Sequence, residues 1–288
     1  MRVLLTGASG FVGRFTRRAL QAAGHEIVLL CRTPSEPSEP DCVVWDLAKD
    51  RPASATIPAC QAVVHLAQSG SYRHFPGDAR LMFDVNVAGT QRLLDWASES
   101  GVRRFCLISS GSVYAPFVGP LREDSPVAPP DYLGASKLAA ETIARPHADN
   151  FELSILRLFT PYGPGQTSRL IPDLVRRVRT GAAVTITSNG CGMRVAPTYV
   201  EDVAQVIRAA IEQGWTGVTN VAAPIDISIH QLTVAIGRLV KLAPRFEQGP
   251  GNAASMVPDL GRLASYFELA RFRRLEDGLA ETIKLDVN

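Results

Sequence analysis

The 288-residue sequence has no run that approaches 18 apolar residues, the length that a membrane-spanning helix requires. It also lacks the basic segment, short apolar stretch and cleavage site that together form a secretory signal, and a strand-like run begins after the second residue. We therefore expect a soluble, cytoplasmic protein that has no membrane partner.

Neither sign of charge is in excess. The 30 lysine and arginine residues nearly balance the 28 aspartate and glutamate residues, and the formal net charge is +2. The densest basic run is VRRVR at 175–179, which a solvated helix face explains. Because a strongly basic surface is the usual mark of a nucleic-acid-binding protein, we expect no nucleic-acid partner.

The sequence has five cysteines, namely Cys31, Cys42, Cys60, Cys106 and Cys191. They show no CxxC spacing, and several of them lie in strand-like apolar runs. Isolated cysteines of this kind are typical of buried thiols in a reducing compartment. We expect neither a metal site nor a disulfide framework.

The first half of the sequence alternates short β-branched or leucine-rich runs with helix-length amphipathic segments, which predicts a parallel sheet with crossover helices. The runs are apolar on both faces, as strands covered by helices on each side require. The predicted strands are RVLLTG, EIVLLC, CVVWDL, QAVVHLA, RFCLISS and FELSILRL, with helices at 11–23, at about 79–100 and from about 132. This order predicts an α/β fold with a Rossmann-type doubly wound parallel sheet.

The alternation becomes less regular after TPYGPGQ. We therefore predict a dinucleotide-binding domain over 1–165 and a smaller, mainly substrate-binding domain over 166–288. The segment at about 203–223 is expected to return to the sheet of the first domain.

A glycine motif, TGASGFVG, follows the first predicted strand and opens the first helix with Gly7, Gly10 and Gly13. Glycines in this order permit a tight turn, close approach of the backbone to a pyrophosphate, and close packing of helix on strand. The start of the helix, including Phe11 and Val12, offers N–H groups to the phosphates. The motif predicts a dinucleotide site.

The second strand ends in Cys31 and Arg32, where NAD-binding proteins usually have an acidic residue for the ribose hydroxyls. A carboxylate repels a 2′-phosphate, whereas a guanidinium can bind it in a fork geometry. We therefore predict that NADP is preferred and that NAD is the alternative. The simpler interpretation is that Arg32 only points to solvent.

Nearly the whole chain resembles the extended short-chain dehydrogenase/reductase family of NAD(P)-dependent sugar-nucleotide epimerases, dehydratases and reductases. The resemblance rests on motifs in the family's order, namely TGASGFVG, WDL, VVHLAQ, NVAGT, ISSGSVYA, RLFTPYGPGQ and YVEDVA. It implies a nucleotide sugar or similar small molecule as the substrate and a homodimer as the assembly.

The resemblance also assigns binding residues by position. The further residues that it places at the cofactor are Asp46, Leu47, Leu66, Ala67, Gln68, Asn86, Lys137 and Pro161, and those at the substrate are Ser110, Thr160 and Arg194. Thr160 stands where the family often has asparagine, and its shorter side chain has one hydroxyl and less reach. This difference weakens the assignment of a sugar nucleotide as the substrate more than it weakens the assignment of the fold.

Catalysis in the resembled family uses a tyrosine four residues before a lysine, together with a serine or threonine that binds the same substrate oxygen. A nearby cation makes a phenol a usable base at neutral pH. Ser110 and Lys137 match this pattern, but position 133 holds Leu133, and Tyr132 comes one residue early.

Helix geometry decides whether Tyr132 can replace the missing phenol. Residues four apart share a helix face, whereas residues five apart differ by about 140°. Leu133 therefore lies over Lys137 if the helix has begun at 132. Tyr132 can act only if the first turn is displaced or not yet helical, which the preceding APPD permits.

Three functions stay open on the sequence alone. The first is an NAD(P)-dependent oxidoreductase or epimerase that uses Ser110, Tyr132 and Lys137. The second is a catalytically silent NAD(P)-binding protein with a regulatory or scaffold role. The third is an enzyme with another acid/base, for which the candidates by location are Asp131, Glu123 and Tyr114.

Overall fold

The computed structural model describes residues 1–33, 42–53, 55–187, 190–250 and 254–285. Its first elements are β1 (Arg2–Thr6), α1 (Phe11–Ala22), β2 (Glu26–Cys31), β3 (Cys42–Val44), β4 (Ala62–His65), α2 (Ala79–Phe83), α3 (Gly89–Glu99), β5 (Arg104–Ser110), α4 (Tyr132–Ala144) and β6 (Glu152–Leu158). A π-helical turn, Asp84–Ala88, joins α2 to α3. The six predicted strands are confirmed, and the third and fourth are each three residues shorter than predicted.

The remaining elements are shorter on average. They are β7 (Pro161–Tyr162), α5 (Leu170–Thr180), β8 (Val184–Ile186), β9 (Arg194–Val195), β10 (Thr198–Tyr199), α6 (Val200–Gln213), β11 (Gly217–Val221), β12 (Ile227–Ser228), α7 (Ile229–Val240), β13 (Phe246–Gln248), β14 (Ser255–Met256), α8 (Gly261–Ala264) and α9 (Leu275–Leu285). Among the described residues, no helix is long and apolar enough to cross a membrane.

The main sheet has seven strands in the order β11-β6-β5-β4-β1-β2-β3. The pairings of β1 with β2 and β4, of β2 with β3, and of β4 with β5 are all parallel. The chain thus winds from β1 towards one edge and then returns to β4 on the other side. The predicted Rossmann-type, doubly wound α/β fold is confirmed.

The chain divides into two compact units. Unit 1 comprises 1–115, 126–157 and 204–219, and unit 2 comprises 116–125, 158–203 and 220–288. Each has its own core of buried aliphatic and aromatic side chains: Leu4, Val63, Leu93, Phe105 and Ile155 belong to the first, and Ile171, Leu174, Tyr199, Leu232 and Leu279 to the second.

Within unit 2, Arg273 links several acidic side chains near the start of α6. Its guanidinium lies 4.1 Å from the centre of the Tyr199 ring and forms ion pairs with Glu201 and Glu281. The Tyr199 hydroxyl donates to Glu281, so α9 is joined by polar contacts to β10 and α6.

A buried histidine connects the two central strands of unit 1 to α3. The nitrogens of His65 lie 2.7 Å from the Thr6 hydroxyl and 2.9 Å from the Thr90 hydroxyl. Since Thr90 donates its proton to the Asn86 carbonyl, it accepts from Nε2–H, and Nδ1 accepts from Thr6. Burial, followed by the charge of Lys137, lowers the pKa of His65 to about 3, so the imidazole is neutral.

This neutral histidine predicts a loss of stability in acid. Its pKa falls from 6.5 to about 3 on folding, so between these values the unfolded chain binds the extra proton. The contribution is complete above pH 6.5 and is lost as the pH falls towards 3. From pH 7 to pH 5, we expect the wild type to lose about 2 kcal/mol more than His65→Gln in urea unfolding. Equal losses in both proteins would contradict the assignment.

Candidate functional site

The candidate site lies in unit 1, at the edge of the sheet where β1, β2, β4 and β5 end. Thr6 at the end of β1 is opposite Leu30 on one side and His65 on the other, so these strands end level with each other. The path from β1 continues to β2 and comes back to β4. Open α/β sheets bind ligands at such a switch point, outside the carboxyl ends of the strands.

The glycine turn after β1 leaves no room for side chains at two positions. Gly7 has a φ of 69°, and a Cβ there would lie 2.7 Å from the backbone nitrogen of Ala67. A Cβ on Gly13 would lie 2.0 Å from the carbonyl oxygen of Gly7. The turn is thus held against both β4 and the first turn of α1.

Gly10 differs from the other two glycines. It occupies the N-cap of α1 with extended backbone and no side-chain cap, and a Cβ there would meet only the Gly7 carbonyl oxygen, at 3.1 Å. The first N–H groups of a helix, here those of Phe11, Val12 and Gly13, have no intrahelical acceptor. This cradle of open backbone at a helix N-terminus fits the diphosphate of a dinucleotide.

The residues predicted for the adenosine end lie beyond β2 and β3. Asp46 is partly buried and accepts a hydrogen bond from Ala48 N, while Leu47 is buried. Arg32 is exposed directly after β2. Its position leaves both the 2′-phosphate interpretation and the solvent interpretation open.

At the end of β4, the backbone is fixed for contact with a ligand. Ala67 N donates to the Thr6 hydroxyl at 3.0 Å, so this segment is tied to β1. Leu66 and Ala67 are partly buried, and Gln68 is exposed. Their predicted contacts with the ribose and nicotinamide stay predictions.

Asn86 lies in the π-helical turn, and its side chain is buried and hydrogen-bonded at both Oδ1 and Nδ2. Its Oδ1 accepts from Ser69 N at 2.8 Å, and its Nδ2 donates to the Ser136 hydroxyl at 2.9 Å. Ser136 in turn donates to the carbonyl oxygen of Leu133. Asn86 thus joins the loop after β4 to the first turn of α4, which positions the residues around it.

Ser110 is the last residue of β5 and is partly buried. Its Oγ accepts from both the backbone N–H and the hydroxyl of Ser112, at 3.1 and 2.9 Å. Both bonds use Ser110 as an acceptor, so its own proton can be donated to a ligand oxygen. The predicted role of Ser110 as the hydroxyl partner stays a prediction.

Lys137 is buried, with 6% of its surface exposed. Its Nζ donates to the Ile108 carbonyl oxygen at 3.0 Å, two residues before Ser110 on β5. An ammonium has three donors, and within the described parts of the chain the other two have no partner. They can therefore serve a bound ligand.

The first turn of α4 is helical from Tyr132 onward. Asp131 is its N-cap, and one carboxylate oxygen accepts from Gly134 N at 2.7 Å. Leu133 therefore lies one turn before Lys137 on the same face, and the condition for Tyr132 to replace a phenol is not met. The Tyr132 ring lies against Phe75, with centroids 5.5 Å apart. A catalytic role for Tyr132 stays a prediction.

Sequence reasoning missed a buried ion pair behind these residues. Both carboxylate oxygens of Glu141 accept from Arg157, at 2.9 and 2.6 Å, and Oε1 also accepts from Ser109 at 2.5 Å. Glu141 is four residues after Lys137, so both lie on one helix face, and this spacing was the signal in the sequence that could have identified Glu141. The pair joins α4 to β5 and β6, so it fixes the helix that carries Lys137.

The three remaining predicted residues belong to unit 2. Thr160 has a φ of 39°, a conformation that costs a β-branched residue about 1–3 kcal/mol. Pro161 begins β7, and its carbonyl accepts from Gln166. Arg194 forms an ion pair with Asp226 at 2.6 Å, so an anionic ligand must compete with that carboxylate. Their predicted roles at cofactor or substrate stay predictions.

The described residues contain no cluster of three or more histidine, cysteine, aspartate or glutamate side chains that could hold a metal ion. The site's polar groups are instead backbone N–H groups, hydroxyls and one ammonium. Such groups suit phosphates and sugar oxygens.

Gly10, where a Cβ would meet a single backbone oxygen at 3.1 Å, gives a direct test of the cradle. Gly10→Ala should retain the fold yet weaken dinucleotide binding at least about tenfold, or about 1.4 kcal/mol, because the methyl group displaces the phosphates. Gly77→Ala is a matched control, since its Cβ also meets a single carbonyl oxygen at 3.1 Å. Calorimetric titration measures the affinity of both variants for NAD⁺ and NADP⁺. Equal affinity in the two variants would place the dinucleotide elsewhere.

Comparison with known proteins gives a consistent result. A dTDP-glucose 4,6-dehydratase of Streptomyces griseus is 27% identical, with 98% of this chain and 92% of that protein covered. A UDP-glucose 4-epimerase of Mycolicibacterium smegmatis is 29% identical over 83% of each protein. The structure of MoeE5 in complex with UDP-glucuronic acid and NAD is 27% identical, with a TM-score of 0.85, and the match covers 100% of this chain and 99% of that one.

The model of the NAD dependent epimerase/dehydratase family matches residues 3–222. The matched segment includes the glycine turn, Ser110, Lys137 and the strands that carry them. The chain therefore belongs to the NAD dependent epimerase/dehydratase family.

Proposed function

We propose that this protein is an NAD(P)-dependent enzyme that oxidises or reduces a hydroxyl or keto carbon of a nucleotide sugar or a similar small molecule. The observation that carries the proposal is that Ser110 ends β5 and the Lys137 ammonium, from α4, reaches the same strand at Ile108, in the same unit as the glycine turn. The names of the dehydratase and epimerase relatives, and the ligands of MoeE5, support this substrate class.

Each residue has a defined task in this proposal. The backbone of Gly10 and the start of α1 binds the diphosphate, and the Ser110 hydroxyl donates to the substrate oxygen. Lys137 donates to a ribose hydroxyl next to the nicotinamide, which leaves one of its three donors for the substrate oxygen. When bound, the dinucleotide supplies a hydride acceptor or donor. The chain's own part is thus to bind, orient and exchange the proton of the substrate oxygen.

For the cofactor, we propose that Arg32 favours NADP, although the structural relative MoeE5 binds NAD. Arg32→Ala should weaken NADP⁺ binding about 10- to 150-fold and leave NAD⁺ binding unchanged, because charged hydrogen bonds contribute about 1.5–3 kcal/mol. The exposed Arg51→Ala is the control. Preference of the wild type for NAD⁺, with no effect of Arg32→Ala, would assign Arg32 to solvent.

We also propose a cytoplasmic homodimer. The support is the family resemblance for the dimer and, for the compartment, five cysteines that are all free thiols. Light scattering on the eluted protein tests the oligomeric state.

Turnover tests the proposed roles of the hydroxyl groups. With UDP-glucose, UDP-glucuronic acid and dTDP-glucose as probes, we expect reduction of the bound dinucleotide to be at least about 100-fold slower in Ser110→Ala. Tyr132→Phe should stay within twofold of the wild type, since that ring packs on Phe75. A large loss in Tyr132→Phe would make Tyr132 the proton carrier.

The alternative function is a catalytically silent protein that binds the dinucleotide. The observation that favours it is Leu133, a residue without a proton, on the face of α4 above Lys137. This alternative requires binding of dinucleotide and probe sugars with no cofactor reduction in the wild type. Leu133→Tyr would then create turnover, because it restores a phenol next to Lys137.

A further inference from the structure

We propose that Lys137 itself exchanges the proton of the substrate oxygen, in the role that a phenol at position 133 would have. This inference rests on the proposed function and deepens it, since it names the acid/base of the same site. It makes Lys137 a catalytic residue as well as a cofactor-binding one.

The geometry of α4 and β5 brings Lys137 to the required place. Leu133 lies one turn before Lys137 on the same helix face and offers no polar side-chain atom, and the Ile108 carbonyl uses only one donor of the ammonium. Ile108 and Ser110 are two residues apart on β5, about 7 Å along the strand. A substrate oxygen bound by Ser110, or one water molecule beside it, can lie between the hydroxyl and the ammonium.

The other protonatable groups near this edge of unit 1 are already engaged. Asp131 caps α4 through Gly134 N, and Tyr114 is fully buried beneath the Arg157 guanidinium, which lies 4.6 Å from its ring centre. Both nitrogens of His65 are bonded to threonine hydroxyls.

Two glutamates are also engaged. Glu141 is buried and bound by Arg157 and Ser109. Glu123 belongs to unit 2, where it accepts from Asn220 N. Tyr132 lies off the helix face that carries Lys137, so Lys137 is the group on that face with donors to spare.

The charged surroundings of Lys137 favour proton exchange near neutral pH. Burial lowers its pKa from 10.5 to about 8, and Glu141 on the next turn opposes this shift. Arg157, on β6, neutralises much of that carboxylate. His65, on β4, is uncharged and so adds no second cation next to the ammonium. A lysine of this kind is present in both protonation states at physiological pH.

The proposed step balances in protons and electrons. Oxidation of a secondary alcohol removes a hydride from carbon, which the bound oxidised dinucleotide accepts. The O–H bond breaks at the same time, the neutral amine of Lys137 takes the proton, and a C=O bond forms. In the reverse direction, the ammonium returns the proton to the oxygen.

The first test is the titration of Lys137 in the full chain. The sequence has only four lysines, at 49, 137, 241 and 284, so ¹³C-labelled lysine signals can be assigned with single arginine variants. We expect a midpoint near 8 for Lys137, well below the ordinary lysine value of about 10.4. Saturation with NAD⁺, whose nicotinamide is cationic, should lower the Lys137 midpoint, whereas NADH should lower it less.

A Lys137 midpoint at or above 10.4, or one that saturating NAD⁺ does not move, overturns the inference. Failure to bind either NAD⁺ or NADP⁺ would instead contradict the proposed function, independently of the titration. The two proposals therefore fail on different measurements.

The second test separates cofactor binding from proton exchange. Lys137→Arg keeps a cation but cannot give up a proton at neutral pH, so dinucleotide affinity should stay within about threefold while turnover of the probe sugars falls at least 100-fold. Lys137→Met should lose both dinucleotide affinity and turnover. Wild-type turnover in Lys137→Arg would overturn the inference.

Discussion

The start of α4 at Tyr132 is the constraint on which the rest of the site depends. The Asp131 cap fixes it, and the chain of hydrogen bonds from Ser69 through Asn86 and Ser136 to the Leu133 carbonyl holds the same turn from the side. Because successive turns superpose, this start places Leu133, Lys137 and Glu141 in one stripe along the helix. Only a displaced or non-helical first turn could bring Tyr132 to the position above Lys137 in place of Leu133, and the chemistry of the site would change with it.

This stripe separates two tasks that a tyrosine and lysine pair would share. The glycine turn, the open start of α1 and the spare donors of Lys137 are all suited to holding a dinucleotide, and none of them depends on residue 133. Since Leu133 has no proton to give, we propose that proton exchange falls to Lys137. The buried Glu141–Arg157 pair keeps Lys137 in place from behind, and removing one partner of such a pair would leave an uncompensated buried charge.

Much of the fold and part of the site could be predicted from the sequence, because short motifs within the chain encode them. Glycines at fixed spacing after an apolar run, and serine at the end of another, identify the turn and the end of β5, because parallel strands deliver their carboxyl ends to one edge. The start of α4 was not determined, since APPD permits either an extended or a helical residue 132. The partners of Glu141 and His65 come from distant strands, and no local pattern encodes such contacts. The positive φ of Thr160 was equally hidden, because threonine rarely adopts it.

The most direct test of the central claim is a crystal structure with NADP⁺ or NAD⁺ and a nucleotide sugar bound, in which the groups within about 3.2 Å of the substrate oxygen are identified. The account predicts the Ser110 hydroxyl there, the Lys137 ammonium in contact directly or through one water, and Leu133 where a phenol would lie. A Tyr132 hydroxyl bonded to that oxygen would contradict it, because α4 would then have to begin later than residue 132.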